Sequence, residues 1–167
     1  DIRKQLPLEA KLFDQVNDDY KAITEGIVSD SNAVRATSKE GTLDKLTIME
    51  EKLNKIQKAL DQYLELKRQY FPRFYFLSND DLLEILGQQK DPEQVQKHIK
   101  KCFVGVEKMQ LIAAGVAGNR TPEAMGLVEG GGESIPLVNN VILEGAVEKW
   151  LVLLEEAMFV AVKKQMM

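Results

Sequence analysis

The chain has 167 residues, of which 44% are hydrophobic and 29% charged, the composition of an ordinary globular domain or part of one. Lys and Arg total 22 against 26 Asp and Glu, a net charge of −4 that argues against a general polyanion-binding surface and so against nucleic acid. No apolar run approaches the roughly 20 residues needed to cross a bilayer. No signal-peptide pattern opens the chain either, so no membrane partner is expected.

In chain order, Phe13, Val16, Tyr20, Ile23 and Ile27 recur at spacings of three and four, which predicts an amphipathic helix over 8–28. Ser29-Asp30-Ser31-Asn32 supplies turn chemistry, because short polar side chains compete with the helical backbone. Leu46, Met49, Leu53, Ile56, Leu60 and Tyr63 then mark a long helix over 43–69, with Thr47-Ile48-Met49-Glu50 as a capping box near its start. The 46–63 seam is only about three heptads long, so packing on neighbouring helices is favoured over a coiled coil.

Pro72 closes that helix. Phe74-Tyr75-Phe76-Leu77 has the aromatic character of a short strand, predicted at 73–77. Helices are expected across 80–106, the first capped by Ser78 and ended by Gly87. The second is opened by Asp91-Pro92, with Val95, Ile99, Cys102, Phe103 and Val106 as its buried stripe. From 107 to 138 the pattern becomes β-rich, and Gly130-Gly131-Gly132 suggests a hairpin turn. Pro136 would confine the second hairpin strand to an edge. A last helix is predicted over 145–163, presenting Val147, Trp150, Leu151, Leu154, Met158 and Val162.

The side chains that carry chemistry are sparse. The one histidine, His98, is placed by the helical pattern on a polar face between Lys97 and Lys100. With Cys102 one turn away it supplies two metal ligands at most, too few for a closed site, so no metal is expected. The lone Cys102 cannot form an internal disulfide; it reads as a small buried hydrophobe in a reducing compartment. Gly130-Gly131-Gly132 and Gly115-Val116-Ala117-Gly118 both lack the Lys-Ser/Thr of a phosphate loop. The match of Asn119-Arg120-Thr121 to a glycosylation sequon means little without a secretory signal. Asp80 and Asp81 suit a helix start better than an acid/base pair. Arg73 among Phe71, Phe74, Tyr75 and Phe76 could stack on a base. In an acidic chain it is better read as pairing with a carboxylate or a helix carboxy end while the aromatics fill a core. No catalytic, cofactor or metal residues are assigned.

The run from Lys55 to Glu65, Lys67-Arg68, Phe71-Pro72-Arg73-Phe74-Tyr75-Phe76-Leu77-Ser78 and Leu82 to Gly87 resembles the linker of dynein heavy chains. So do Asp91-Pro92, Val95-Gln96, His98, Lys101-Cys102-Phe103, Glu129 to Glu133 and Val147-Glu148-Lys149-Trp150-Leu151. Leu77-Ser78-Asn79-Asp80-Asp81 and Lys101-Cys102-Phe103 look more axonemal than cytoplasmic. The run Met125-Gly126-Leu127-Val128-Glu129-Gly130 departs from the family's serine-rich pattern.

The resemblance implies a mainly α fold: an elongated helical bundle with a small antiparallel sheet or hairpin inserted at about 107–138. It also implies one linker domain within a longer chain, which the missing initial Met and the helical pattern running to the last residues suggest as well. The implied function is mechanical, an arm that moves against the AAA+ ring of the same heavy chain and has no active site of its own. ATP and Mg are then expected elsewhere in the parent chain, and microtubules and other dynein subunits would be met through the rest of it. The implied location is the cytoskeleton, in the axoneme of a cilium or flagellum. Phe71, Arg73, Phe74 and Phe76 are the expected structural junction behind the long helix, and Glu129, Gly130 and Glu133 the expected ring contact. The alternative is a helical scaffold or adaptor that binds partner helices through the 46–63 seam.

Overall fold

The computed structural model describes residues 2–29, 32–113 and 121–166. Asp30 and Ser31 of the first polar turn, Gly115 to Gly118 and the Asn119-Arg120 portion of the sequon lie outside them. The fold is mainly α with one small antiparallel sheet, and it divides into two compact units, Asp1–Tyr63 and Leu64–Met167.

In the first unit a short helix α1 (Ile2–Gln5) leads into α2 (Pro7–Ser29), then α3 (Ala33–Thr37) and the start of α4 (Thr42–Tyr70). Asn32 caps α3, its side-chain oxygen accepting from the Arg35 amide. Helix α2 and the first part of α4 run antiparallel. Phe13 shares a groove with Ile56 and Leu60, Asp19 approaches Lys52 at 3.8 Å, and Ile23 and Ile27 lie beside Thr42 and Lys45. Helix α4 begins at Thr42, so the capping box expected at Thr47 does not exist. Thr47 is inside the helix, where its hydroxyl donates to the Leu43 carbonyl one turn back.

The second unit begins within α4. After Phe71 the chain forms a 3-10 helix, Pro72–Phe76, which replaces the strand expected at 73–77. Proline fixes its own φ near the helical value and suits a first helical position. The amides of Phe74 and Leu77 then bond to carbonyls three residues back, at Phe71 and Phe74. Aromatic β-propensity describes fit to a pleated surface, and among the described residues no strand pairs with this segment to supply one. Three helices follow: α5 (Asn79–Gly87), α6 (Pro92–Gln96) and α7 (Ile99–Cys102). Ser78 caps α5 through the Asp81 amide, and Asp91 caps α6 through the Glu93 amide.

The sheet has the order β1-β2-β3, with β1 at Lys108–Ile112, β2 at Glu123–Val128 and β3 at Ser134–Ile142. Leu137 and Val141 of β3 are buried where that strand packs on the last helix, α8 (Val147–Gln165). Pro136 lies opposite Gly126 on β3, an edge strand of the sheet among the described residues, where a residue without an N–H is best tolerated. Gly126 is a close-approach position: a Cβ there would lie 2.3 Å from Gln110 Oε1 and 3.1 Å from the Ile135 carbonyl. Among the described residues, no helix is long and apolar enough to cross a membrane.

The turn between β2 and β3 closes with the Glu129 amide donating to the Glu133 carbonyl and the Gly132 amide to the Glu129 carbonyl. Gly132 sits at φ +90°, a conformation that side chains bearing a Cβ resist. Gly132→Ala should therefore destabilise the chain by about 1–2 kcal/mol. Chemical denaturation, with hydrogen exchange at 123–142 to localise the effect, checks this.

Candidate functional site: an aromatic and ionic junction behind the long helix

The junction starts from the sequence Tyr70-Phe71-Pro72, where the proline stops α4 and turns the backbone extended at Phe71. That turn places Phe71 and Phe74 edge to face, with ring centroids 5.0 Å apart and planes at 83°. Phe103, from the end of α7, completes the group 6.0 Å from Phe71. Phe71 and Phe74 have no exposed surface and Phe103 is also buried.

Arg73, between them on the 3-10 helix, reaches α7 and α8. Its Nε donates to Glu155 Oε1 of α8 at 2.7 Å, and one terminal nitrogen donates to the Cys102 carbonyl at the end of α7 at 3.2 Å. The guanidinium lies 4.9 Å from the centroid of the Phe103 ring. A carboxylate, a helix carboxy end and an aromatic face thus occupy this cation. Phe76 differs from its three neighbours: it is 72% exposed and stays outside the core they form. Three residues of 3-10 helix make one turn, so Phe71, Phe74 and Leu77 share the inward side and Phe76 does not.

Three residues of the last turns of α4 tie it to the junction. Arg68 donates to the Phe74 and Leu77 carbonyls and to Asn79 Oδ1. Glu65 accepts from the Tyr75 hydroxyl at 2.7 Å. That bond holds the Glu65 carboxyl below its ordinary range and the Tyr75 phenol above its own. Lys67 pairs with Glu148 in the first turn of α8. The Glu148 side chain is 7% exposed and that of Lys67 21%, so the carboxylate sits almost out of water while the ammonium is partly solvated. No local signal marks this pair; Glu148 looks like an ordinary first-turn acid favoured by the helix dipole.

Other expected residues fall as follows. Cys102 is buried, and burial pushes its thiol up to about 12, so it is protonated at neutral pH. A thiol reagent at about pH 8 should label it only on unfolding, with the labelling rate tracking the open fraction. His98 is buried rather than on a polar face, because α6 stops at Gln96 and α7 starts at Ile99, and the break rotates it inward. Among the described residues, no group of three or more His, Cys, Asp or Glu side chains could hold a metal ion. Glu129, Gly130 and Glu133 are all exposed at the hairpin tip, where Glu129 Oε2 also accepts from the Gly131 amide. In the 46–63 seam Met49 is buried and Ile56 and Leu60 are half-buried, while Leu46 and Leu53 are exposed.

The whole chain, residues 1–167, matches the family description "Dynein heavy chain, N-terminal region 2". The chain belongs to the dynein heavy chain family. It is 52% identical over 163 residues to dynein axonemal heavy chain 2 of Homo sapiens, an alignment covering 98% of this chain and 4% of that protein. It is 48% identical over 166 residues to the dynein-1-beta heavy chain, flagellar inner arm I1 complex, of Chlamydomonas reinhardtii, covering 99% of this chain and 4% of the relative. Cytoplasmic dynein 2 heavy chain 1 of Caenorhabditis elegans is 39% identical over 156 residues, covering 93% of the chain and 4% of the relative. This dynein heavy-chain sequence therefore spans about one twenty-fifth of the relatives it matches, within their N-terminal region. The junction is built of residues from four stretches of the dynein sequence: the end of α4, the 3-10 helix, the end of α7 and the start and middle of α8.

Proposed function

We propose that this segment is part of the mechanical linker of an axonemal dynein heavy chain, an arm that moves against the AAA+ ring of the same chain in the power stroke. It has no active site of its own. ATP and Mg bind elsewhere in the parent chain, which meets microtubules and other dynein subunits through its other regions, in the axoneme of a cilium or flagellum.

The observation that carries this reading is the fixing of α4's carboxy end. Arg68, Lys67 and the Phe71–Phe74 pair anchor that end into the core of the second unit through bonds to the 3-10 helix and α8. An element that transmits force needs such a clamp, because a helix end that frays absorbs displacement. The hairpin tip at Glu129, Gly130 and Glu133 is solvent-facing and pinned by backbone bonds, which suits a contact point on the ring.

The test is made in the full-length motor. Phe71→Ala and Phe74→Ala should slow microtubule gliding while basal ATP turnover persists, since the stroke loses stiffness and the chemistry does not. Unchanged gliding in both variants, or ATP hydrolysis by the 167-residue chain alone that is lost on mutation within it, defeats the proposal.

A further inference from the structure

Helices α2 and α4 of the first unit carry apolar residues on the same seven-residue repeat, Phe13, Tyr20 and Ile27 on one and Leu46, Leu53 and Leu60 on the other. Their antiparallel pairing aligns the two sets. Phe13 shares a groove with Leu60, and the approach of Asp19 to Lys52 brings Tyr20 level with Leu53. Ile27 lies beside Lys45, next to Leu46. In an antiparallel pair, residues at the same position of the repeat fall on the same side, so the three rungs line one trough. It runs for about 21 Å, the length of about four helical turns.

The trough is open. Five of its six side chains are between 42% and 60% exposed, and Leu60 is half-buried. Among the described residues of this unit only Val16 and Met49 are buried apolar side chains, few for a stretch of 63 residues to hold together on. Knobs at a seven-residue spacing fit the holes of another helix, so the repeat selects a helix as the cover. Four residues after the rung positions, Asn17, Thr24, Glu50 and Gln57 border the trough, and Glu50 alone is charged. A helix delivered by a separate subunit relies on charged pairs at such borders for partner choice and orientation. A helix of the same polypeptide is held at high effective concentration and needs none. This segment aligns with 4% of its axonemal and flagellar relatives, so most of a heavy chain lies outside it.

We propose that a helix of the same heavy chain, from outside residues 1–167, lies along this trough and completes a three-helix bundle with α2 and α4. Its buried side carries apolar residues on a seven-residue repeat, and its borders are mostly uncharged. Docking covers the six rung residues and ties another part of the heavy chain to this one. It requires the segment to sit in a longer heavy chain, as the proposed linker does, but is independent of any stroke.

Photo-crosslinking with mass spectrometry on the full-length heavy chain tests it. The photoreactive residue p-benzoylphenylalanine replaces Tyr20 in one version, Leu53 in a second and, as control, the exposed Lys58 on the far side of α4 in a third. The Tyr20 and Leu53 versions should capture the same stretch of the same heavy chain, outside residues 1–167. The Lys58 version should capture it at less than about one tenth of their yield, since it lies beyond contact distance. Tyr20 already holds an aromatic ring, so if the Leu53 version does not fold, the Tyr20 and Lys58 versions decide. A covalent dimer of heavy chains, a link to another subunit or to residues 64–167, or yields no higher than at Lys58 overturns the docking. None of these readings involves motility, so the docking and the stroke fail separately.

Discussion

Phe74→Ala is expected to lower the unfolding free energy by about 3–5 kcal/mol, the range for emptying a fully buried aromatic site. Phe74 has no exposed surface and stacks edge to face on Phe71, so truncation removes both its own burial and part of Phe71's packing. Bonds from the Arg68 side chain and the Leu77 amide to the Phe74 carbonyl hold the 3-10 turn in place, which limits how far the site can collapse around the void. Trp150, the chain's one tryptophan, is buried in the same unit and reports unfolding by its fluorescence in a urea titration. Phe76→Ala is the control. At 72% exposure it should change stability by no more than about 0.5 kcal/mol. A near-zero change in Phe74→Ala would mean the aromatic group is dispensable.

Lys67→Met should cost about 3–5 kcal/mol, because it strands the Glu148 carboxylate where water barely reaches. Glu148 Oε2 already has no hydrogen-bond partner among the described residues, so losing the ammonium leaves the charge without its principal compensation. The double variant Lys67→Met/Glu148→Leu should recover most of that loss, since well-packed apolar residues often replace a buried ion pair at little cost. A double-mutant cycle followed through Trp150 measures the coupling. Additive single losses would show that the two side chains contribute separately.

Much of the helical frame could be read from the chain. The three-and-four spacing from Phe13 to Ile27 and from Leu46 to Tyr63 marks α2 and α4, because an apolar stripe at that period has few other uses. The glycine turn and Pro136 located the β2–β3 hairpin and its edge strand through backbone chemistry, not propensity. The 3-10 helix was hidden because aromatic runs suit strands, and only the absence of a pairing partner, a long-range fact, decides against one. His98 was misplaced for a related reason: a wheel drawn through 92–102 assumes one helix, and the break at Lys97-His98 turns the ring inward. Arg73's partners were anticipated by type, though not by number. The Lys67–Glu148 pair could not be, since nothing local distinguishes an acid that will be buried 81 positions from its partner.

Those long separations have a consequence for how the polypeptide matures on the ribosome. The α2–α4 pairing joins segments near in sequence, so the first unit can form soon after Tyr63 has left the exit tunnel. The second unit closes through Lys67–Glu148 and Arg73–Glu155, 81 and 82 residues apart, and must wait until α8 has been made. Until then Arg73 lacks Glu155 and the inner face of β3 lacks its cover. The interval between synthesis of residue 77 and of residue 154 is when this nascent chain is most exposed to aggregation and has most use for a chaperone.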